Sequence, residues 1–125
     1  MADTEPPNTD PRAWDTPVTR ALGCDLPIVL APMGGVSGGR LAAAVTRAGG
    51  LGLIGPGYKD AHWVHEAFDD AGNARVGIGF ITWHMARQPE VLDTALARGP
   101  AAVMLSFGDP TPFVPKIKAT GAKVI

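Results

Sequence analysis

Pro27-Ile28-Val29-Leu30-Ala31-Pro32-Met33-Gly34-Gly35-Val36-Ser37-Gly38-Gly39 is the stretch on which the fold turns. Residues 28–30 form an apolar β-branched run, long enough for a strand buried on both faces and too short for a helix. Pro32 cannot donate to a sheet ladder, so the strand is expected to end near Ala31. The glycines then let the backbone turn sharply and approach something closely. Ser37 reads as the N-cap of a following helix, with Leu41, Ala44, Val45 and Ala48 as its inward stripe at i, i+3, i+4, i+7. The unit is strand, open glycine loop, helix. In parallel α/β folds, the loop after a strand's carboxyl end is where ligands sit.

The same unit recurs outward from this stretch. Upstream, Thr16-Pro17 reads as an N-cap with proline at the first helical position, and Gly23 as the stop of that short helix. Downstream, residues 50–54 are a second strand, and Asp60 caps a helix with the stripe Trp63, Val64, Ala67, Phe68 and Ala71, stopped by Gly72. Residues 75–81 are a third strand. Pro89 opens a helix with Val91, Leu92, Ala95 and Leu96 inward, ended by Gly99. Residues 101–107 are a fourth strand, and residues 109–112 open a fourth helix that tolerates Pro115 in its first turn. Lys123, Val124 and Ile125 begin a fifth strand.

Strand starts near residues 28, 51, 76, 102 and 123 imply single-helix connections, hence a parallel sheet with right-handed crossovers. An open doubly wound sheet and a (β/α)8 TIM-type barrel share this pattern. Small and large residues alternate along residues 50–54 and 76–80, which suits the layered interior of a closed barrel. The reading is α/β, of the parallel (β/α)8 barrel type. A complete barrel needs about 250 residues, so four βα units plus the start of strand five make a little more than half of one.

Composition narrows the class. Eleven Lys and Arg against twelve Asp and Glu give a net charge of −1, without the basic patch that a nucleic-acid or acidic-membrane partner needs. One cysteine, Cys24, excludes an internal disulfide framework and a multi-cysteine metal site. No run reaches the roughly 18 apolar residues of a membrane helix, and the start is acidic and proline-rich, unlike a signal peptide. Residues 1–15 read as a disordered tail before a domain over residues 16–125, and the location expected is the cytoplasm.

Few residues carry chemistry by spacing alone. Residues 50–55 match the dinucleotide-binding glycine spacing, but a helix precedes them and Pro56 follows, so a glycine-rich barrel strand is the better reading. The loop at residues 33–39 suits either an anion on helix amides or a tight turn that needs permissive backbone. His62 and His65 read as a solvent-facing edge. His84 follows the third strand at the mouth where barrel enzymes keep reactive groups, but it lacks a second metal-ligating residue at suitable spacing. Asp109, bracketed by prolines, reads as a turn former.

The run Pro27 to Val36, residues 41–54, residues 76–80, residues 104–110 and residues 118–125 together resemble the opening of the nitronate monooxygenase family, formerly called 2-nitropropane dioxygenases. The resemblance implies an FMN-containing TIM barrel that oxidises alkyl nitronates with dioxygen. Flavin-dependent enoyl-carrier-protein reductases share the same opening. It further implies that Ala31, Pro32 and Met33, with Gly34 beside them, lie along the flavin ring: main-chain groups at its polar edge, the Met33 thioether on its face. Gly79 falls where many members carry a cofactor-contacting asparagine, so a water or Thr82 would have to substitute. The family's catalytic histidine and phosphate loops belong to the second half of its barrel, which corresponds to positions beyond Ile125, and His84 does not inherit that role. For residues 1–125 alone, unpaired sheet edges imply a homodimer or aggregation and loss of FMN and turnover.

Overall fold

The computed structural model describes residues 13–125. The elements run α1 (Pro17–Leu22), β1 (Val29–Leu30), α2 (Gly39–Arg47), β2 (Leu51–Ile54), α3 (Ala61–Ala71), β3 (Gly77–Ile81), α4 (Thr82–Met85), α5 (Pro89–Ala97), β4 (Ala102–Ser106), α6 (Val114–Lys118) and β5 (Lys123–Val124). All neighbouring strands pair in parallel, in the order β1-β2-β3-β4-β5. A doubly wound sheet reverses its strand order at a switch point. This one never does, so every crossover turns the same way and the architecture is a partial TIM barrel.

The two faces of the sheet hold separate cores. Outward, Ile54, Ile78, Phe80 and Val103 pack with Val64, Ala67 and Phe68 of α3 and with Val91, Leu92 and Ala95 of α5. Inward, Leu51, Leu53 and Ala102 form a small cluster closed by Leu22 and Cys24 from the end of α1. At each helix start the sequence names its own cap. Thr16 and Thr19 bond reciprocally, the Thr19 N–H to Thr16 Oγ1 at 3.1 Å and the Thr16 N–H to Thr19 Oγ1 at 2.9 Å. Asp60 accepts from the Trp63 N–H at 2.9 Å. Asp69 of α3 pairs with Arg98 beyond α5 at 2.8 Å, and Lys116 of α6 pairs with Asp93 of α5.

The expected stripe of α2 is wrong. Leu41 and Ala44 are exposed, and the buried positions are Gly39, Ala42 and Ala43. Small residues win because α2 lies almost in backbone contact with its neighbours. A Cβ on Gly52 would lie within the shell of the Ala42 carbonyl, and one on Gly39 within that of the Ala67 carbonyl. Gly52 therefore serves helix packing, while a Cβ on Gly50 would meet the Ile28 carbonyl and one on Gly55 the Met33 main chain, so each glycine of residues 50–55 answers a different close approach. The cap of α2 is also corrected: Gly38 holds that position and has no side-chain bond.

Strand boundaries move inward by a residue or two from those expected, and α6 begins at Val114 rather than in the proline turn. The fifth strand is corrected in the same way: it is Lys123–Val124, and Ile125 lies outside it. Ile125 still continues the ladder with β4. Its N–H donates to the Val103 carbonyl at 3.0 Å, and its carbonyl accepts from the Leu105 N–H at 2.9 Å. The one-turn α4 replaces an expected loop. The tail expected over residues 1–15 lies, for residues 1–12, outside the described residues. Trp14 is tied to the fold: its N–H donates to the Asp25 carbonyl at 2.7 Å and its carbonyl accepts from Thr19 Oγ1 at 2.6 Å.

Candidate functional site

The loop after β1 is braced from within. Ser37, fully buried, accepts from the Met33 N–H at 2.7 Å, and its own N–H donates to the Met33 carbonyl at 2.9 Å. Val36 N–H reaches the same carbonyl at 3.1 Å. Ser37 is thus a loop brace rather than a helix cap. The Met33 main-chain donor and acceptor are both engaged by this brace. The Met33 and Val36 side chains are exposed at this rim, and the N–H groups of Gly34 and Gly35 have no partner among the described residues. Gly35 takes φ +74 with open space around it, a conformation that favours glycine.

The two strands that follow, β2 and β3, are locked against this loop. The Gly55 N–H donates to the Ser37 carbonyl at 2.8 Å, and a Cβ on Gly34 would lie 3.2 Å from Gly57 Cα. At β3, a Cβ on Gly79 would overlap the Pro32 ring and approach Met104 Cβ to 3.3 Å. Pro32 therefore fills the space that an asparagine side chain would need, and Gly79 touches Pro32 instead of the open mouth. Thr82 is 1% exposed, and its hydroxyl has no hydrogen-bond partner. It lies under the β4 loop, where a Cβ on Gly108 would meet Thr82 Cβ at 3.1 Å. Thr82 is thus enclosed beneath the β4 loop.

Beyond Pro32 the mouth, expected from the segments 55–58, 79–84 and 106–109 that follow strands, is aromatic; the sequence does not show these rings as one cluster because they come from different connections. Tyr58 follows β2, and Trp83 and His84 stand on α4. The His84 ring meets Tyr58 edge-on at 5.1 Å and Trp83 at 5.7 Å, with interplanar angles of 85° and 86°. Its Nε2 is shut from solvent without a hydrogen-bond partner. Arg87 stacks its guanidinium 5.3 Å from the Trp83 centroid. Phe107, after β4, is exposed and takes φ 58, held there as its carbonyl accepts from the Trp83 N–H at 3.2 Å.

The remaining candidates are peripheral. His62 and His65 sit on the exposed side of α3, 3.1 Å from Glu66 and 3.5 Å from Asp69 respectively. Burial pushes the Cys24 thiol up, with Arg75 partly opposing, at the far end of the strands from the mouth. The Thr111 hydroxyl, then its main-chain N–H at 3.0 Å, hold the Asp109 carboxyl below the usual range, as suits a turn former. Ile125 is exposed beside β4, where its main chain continues the ladder. Among the described residues no group of three or more His, Cys, Asp or Glu could hold a metal, and no helix is long and apolar enough to cross a membrane. The mouth offers main-chain donors, a thioether, aromatic faces and one guanidinium: equipment for binding and orienting a planar ligand.

Known proteins share part of this sequence and this fold. Residues 15–76 match the nitronate monooxygenase family model, a span that includes the braced loop and Tyr58. Over 40 residues the chain is 60% identical to a nitronate monooxygenase of Paraburkholderia phytofirmans, covering 32% of this chain and 11% of that protein. FabK from Thermotoga maritima superposes with a TM-score of 0.80 at 27% identity, over 90% of this chain and 37% of FabK. A nitroalkane oxidase from Streptomyces ansochromogenes superposes with a TM-score of 0.65 at 25% identity, over 86% of this chain and 41% of that one. The chain thus spans well under half the length of each relative. Over residues 15–76 it is a partial, N-terminal match to the nitronate monooxygenase family, set on a partial TIM-barrel fold.

Proposed function

We propose that this chain supplies the flavin-facing strands of an FMN-dependent oxidoreductase that oxidises alkyl nitronates with dioxygen. The observation that carries the reading is the family match across the β1 loop together with that loop's geometry. Bound there, FMN would supply the redox chemistry. The N–H groups of Gly34 and Gly35 suit the polar edge of the ring, the Met33 thioether suits its face, and Pro32, seated on Gly79, fixes the height at which a ring can lie. Ala31 is exposed beside them. No described residue at the mouth is placed to act as general base, and His84, with Nε2 enclosed between aromatic rings, is not assigned that role. A nicotinamide-using enoyl-carrier-protein reductase is the second reading, favoured by the tighter superposition on FabK than on the nitroalkane oxidase.

A chimera tests the proposal: residues 15–125 replace the matching strands of a nitronate monooxygenase-family barrel, so that the barrel's own second half follows Ile125. The expected result is retained flavin absorbance and nitronate-dependent oxygen uptake. A folded but colourless chimera overturns the flavin reading, and nicotinamide oxidation without oxygen uptake transfers the assignment to the reductase. Residues 1–125 alone are expected to lose FMN. Barrel phosphate sites are usually built after strands seven and eight, and two or three missing charge-assisted hydrogen bonds at roughly 1.5–3 kcal/mol each weaken binding by several powers of ten.

A further inference from the structure

We infer that Tyr58, Trp83 and Arg87 form a substrate-recognising wall at the mouth, shaped for an anion that carries an aromatic ring. The inference rests on the reading of this face as the active site and adds the substrate class. Its starting point is where exposed aromatic rings occur. Four aromatic side chains of the described residues are exposed: Trp14 at 62%, Tyr58 at 66%, Trp83 at 46% and Phe107 at 76%. All but Trp14 stand on the three successive loops after β2, β3 and β4. The other aromatic residues, among them Phe68 and Phe80, are packed into the outer core. A ring left in water forfeits the large area it would otherwise bury, and these three stand together on the face read as the ligand mouth.

The wall is held before any ligand arrives. His84 stands nearly perpendicular to both rings, and its Nε2 is closed off without a hydrogen-bond partner. An imidazole edge enclosed in this way is tolerated against aromatic faces. His84 is therefore the spacer that sets Tyr58 and Trp83 6.0 Å apart at a 49° tilt. Tyr58 also follows Gly57 directly, and Gly57 lies against Gly34 of the braced loop. The wall is thus continuous with the proposed flavin edge.

Charge selects among planar ligands. Arg98 and Arg20 are paired with Asp69 and Asp15. Arg40, Arg47, Arg75 and Arg87 meet no carboxylate among the described residues, and of these Arg87 is the one stacked on an aromatic ring of the mouth, over Trp83. A guanidinium presents paired donors that match two oxygens on one planar centre, and a nitronate has that pair. An aryl nitronate places its ring against Tyr58 and Trp83 and its oxygens toward Arg87.

The test measures binding without turnover. The anions of phenylnitromethane and nitroethane are compared by saturation-transfer NMR on the whole 125-residue chain, without oxygen. The phenyl anion is expected to bind more tightly, with saturation strongest on its ring protons. Tyr58→Ala should weaken it roughly 3- to 10-fold, the worth of one aromatic contact, and change nitroethane binding little. Arg87→Gln should weaken both anions, Trp83→Phe should keep most of the preference, and His62→Ala should change nothing. Equal affinity for the two anions, or a Tyr58→Ala protein that binds the phenyl anion as before, overturns the wall. So does a Tyr58→Ala variant that dissociates a dimer in sedimentation, because a second copy then covers the rings. A chimera lacking oxygen uptake while ring contact persists removes the nitronate oxidation and leaves the wall standing.

Discussion

On its outer face the sheet meets α2, α3 and α5 through Ile54, Ile78, Val64, Ala42 and Val103, all at 0% exposure. At its carboxyl end Met33, Tyr58, Trp83 and Phe107 stand between 38% and 76% exposed on loops braced mainly by hydrogen bonds. The same alternating strands feed both regions. The outer face is stabilised by close packing, in which a methylene is felt. The mouth is stabilised by backbone geometry, which leaves its side chains free for a ligand.

Glycine separates the two regions most sharply. Gly52→Val should abolish folding, because its Cβ would overlap the Ala42 backbone and α2 would have to lift from the sheet. Gly35→Ala at the mouth has open space and a positive φ, so it should cost only the left-handed strain, about 1–2 kcal/mol. Denaturant midpoints of the two variants check this. Similar losses from both would mean that α2 does not press on β2 as described.

How far the sequence disclosed these regions follows from the same distinction. Strand spacing, the Thr16 and Asp60 caps and the α3 stripe were legible, because each depends on a few adjacent residues. The α2 face was misread because periodicity favours the bulkiest apolar residues, Leu41 and Val45, whereas a backbone-to-backbone contact with Gly52 selects Ala42 and Ala43. Ser37 stands where a cap belongs, and only the loop's closure on Met33 shows its use. The rim position of Met33 was legible; the engagement of its main-chain groups was not. The aromatic wall had no local signal, since Tyr58 and Trp83 are brought together only by the β2–β3 pairing. A search for exposed aromatics just after each strand would have found it.

A smaller contrast lies between single side chains. Ile78→Ala removes a fully buried group from the outer core and should cost about 2–5 kcal/mol. Phe107→Gly removes a ring that is 76% exposed and relieves φ 58. There the relief of left-handed strain opposes glycine's entropy, for a net change below about 1 kcal/mol. Thermal unfolding of the pair checks the ranking. A loss at Phe107 comparable to that at Ile78 would place its ring in a core.

The weakest expected effect isolates one loop hydrogen bond at the mouth. Asp109 accepts from Thr111, whose hydroxyl and then N–H favour the ionised carboxylate and lower its pKa in the fold. A folded pKa below the unfolded one stabilises the turn above the unfolded value and loses that contribution as pH falls through the folded value. The window therefore lies below about pH 4, the ordinary aspartate range, and at neutral pH the turn is fully supported. The group is fully exposed, so the readout is its own titration rather than global stability. The Asp109 carboxyl carbon, followed by NMR, should titrate below a free aspartate. Thr111→Val removes the hydroxyl but keeps the N–H, so the midpoint should rise part of the way back. An ordinary midpoint in the parent chain would mean the turn after β4 is not closed by Asp109. The outer core holds no ionisable group among its buried members, so this titration reports the turn after β4 and not the packing of the core.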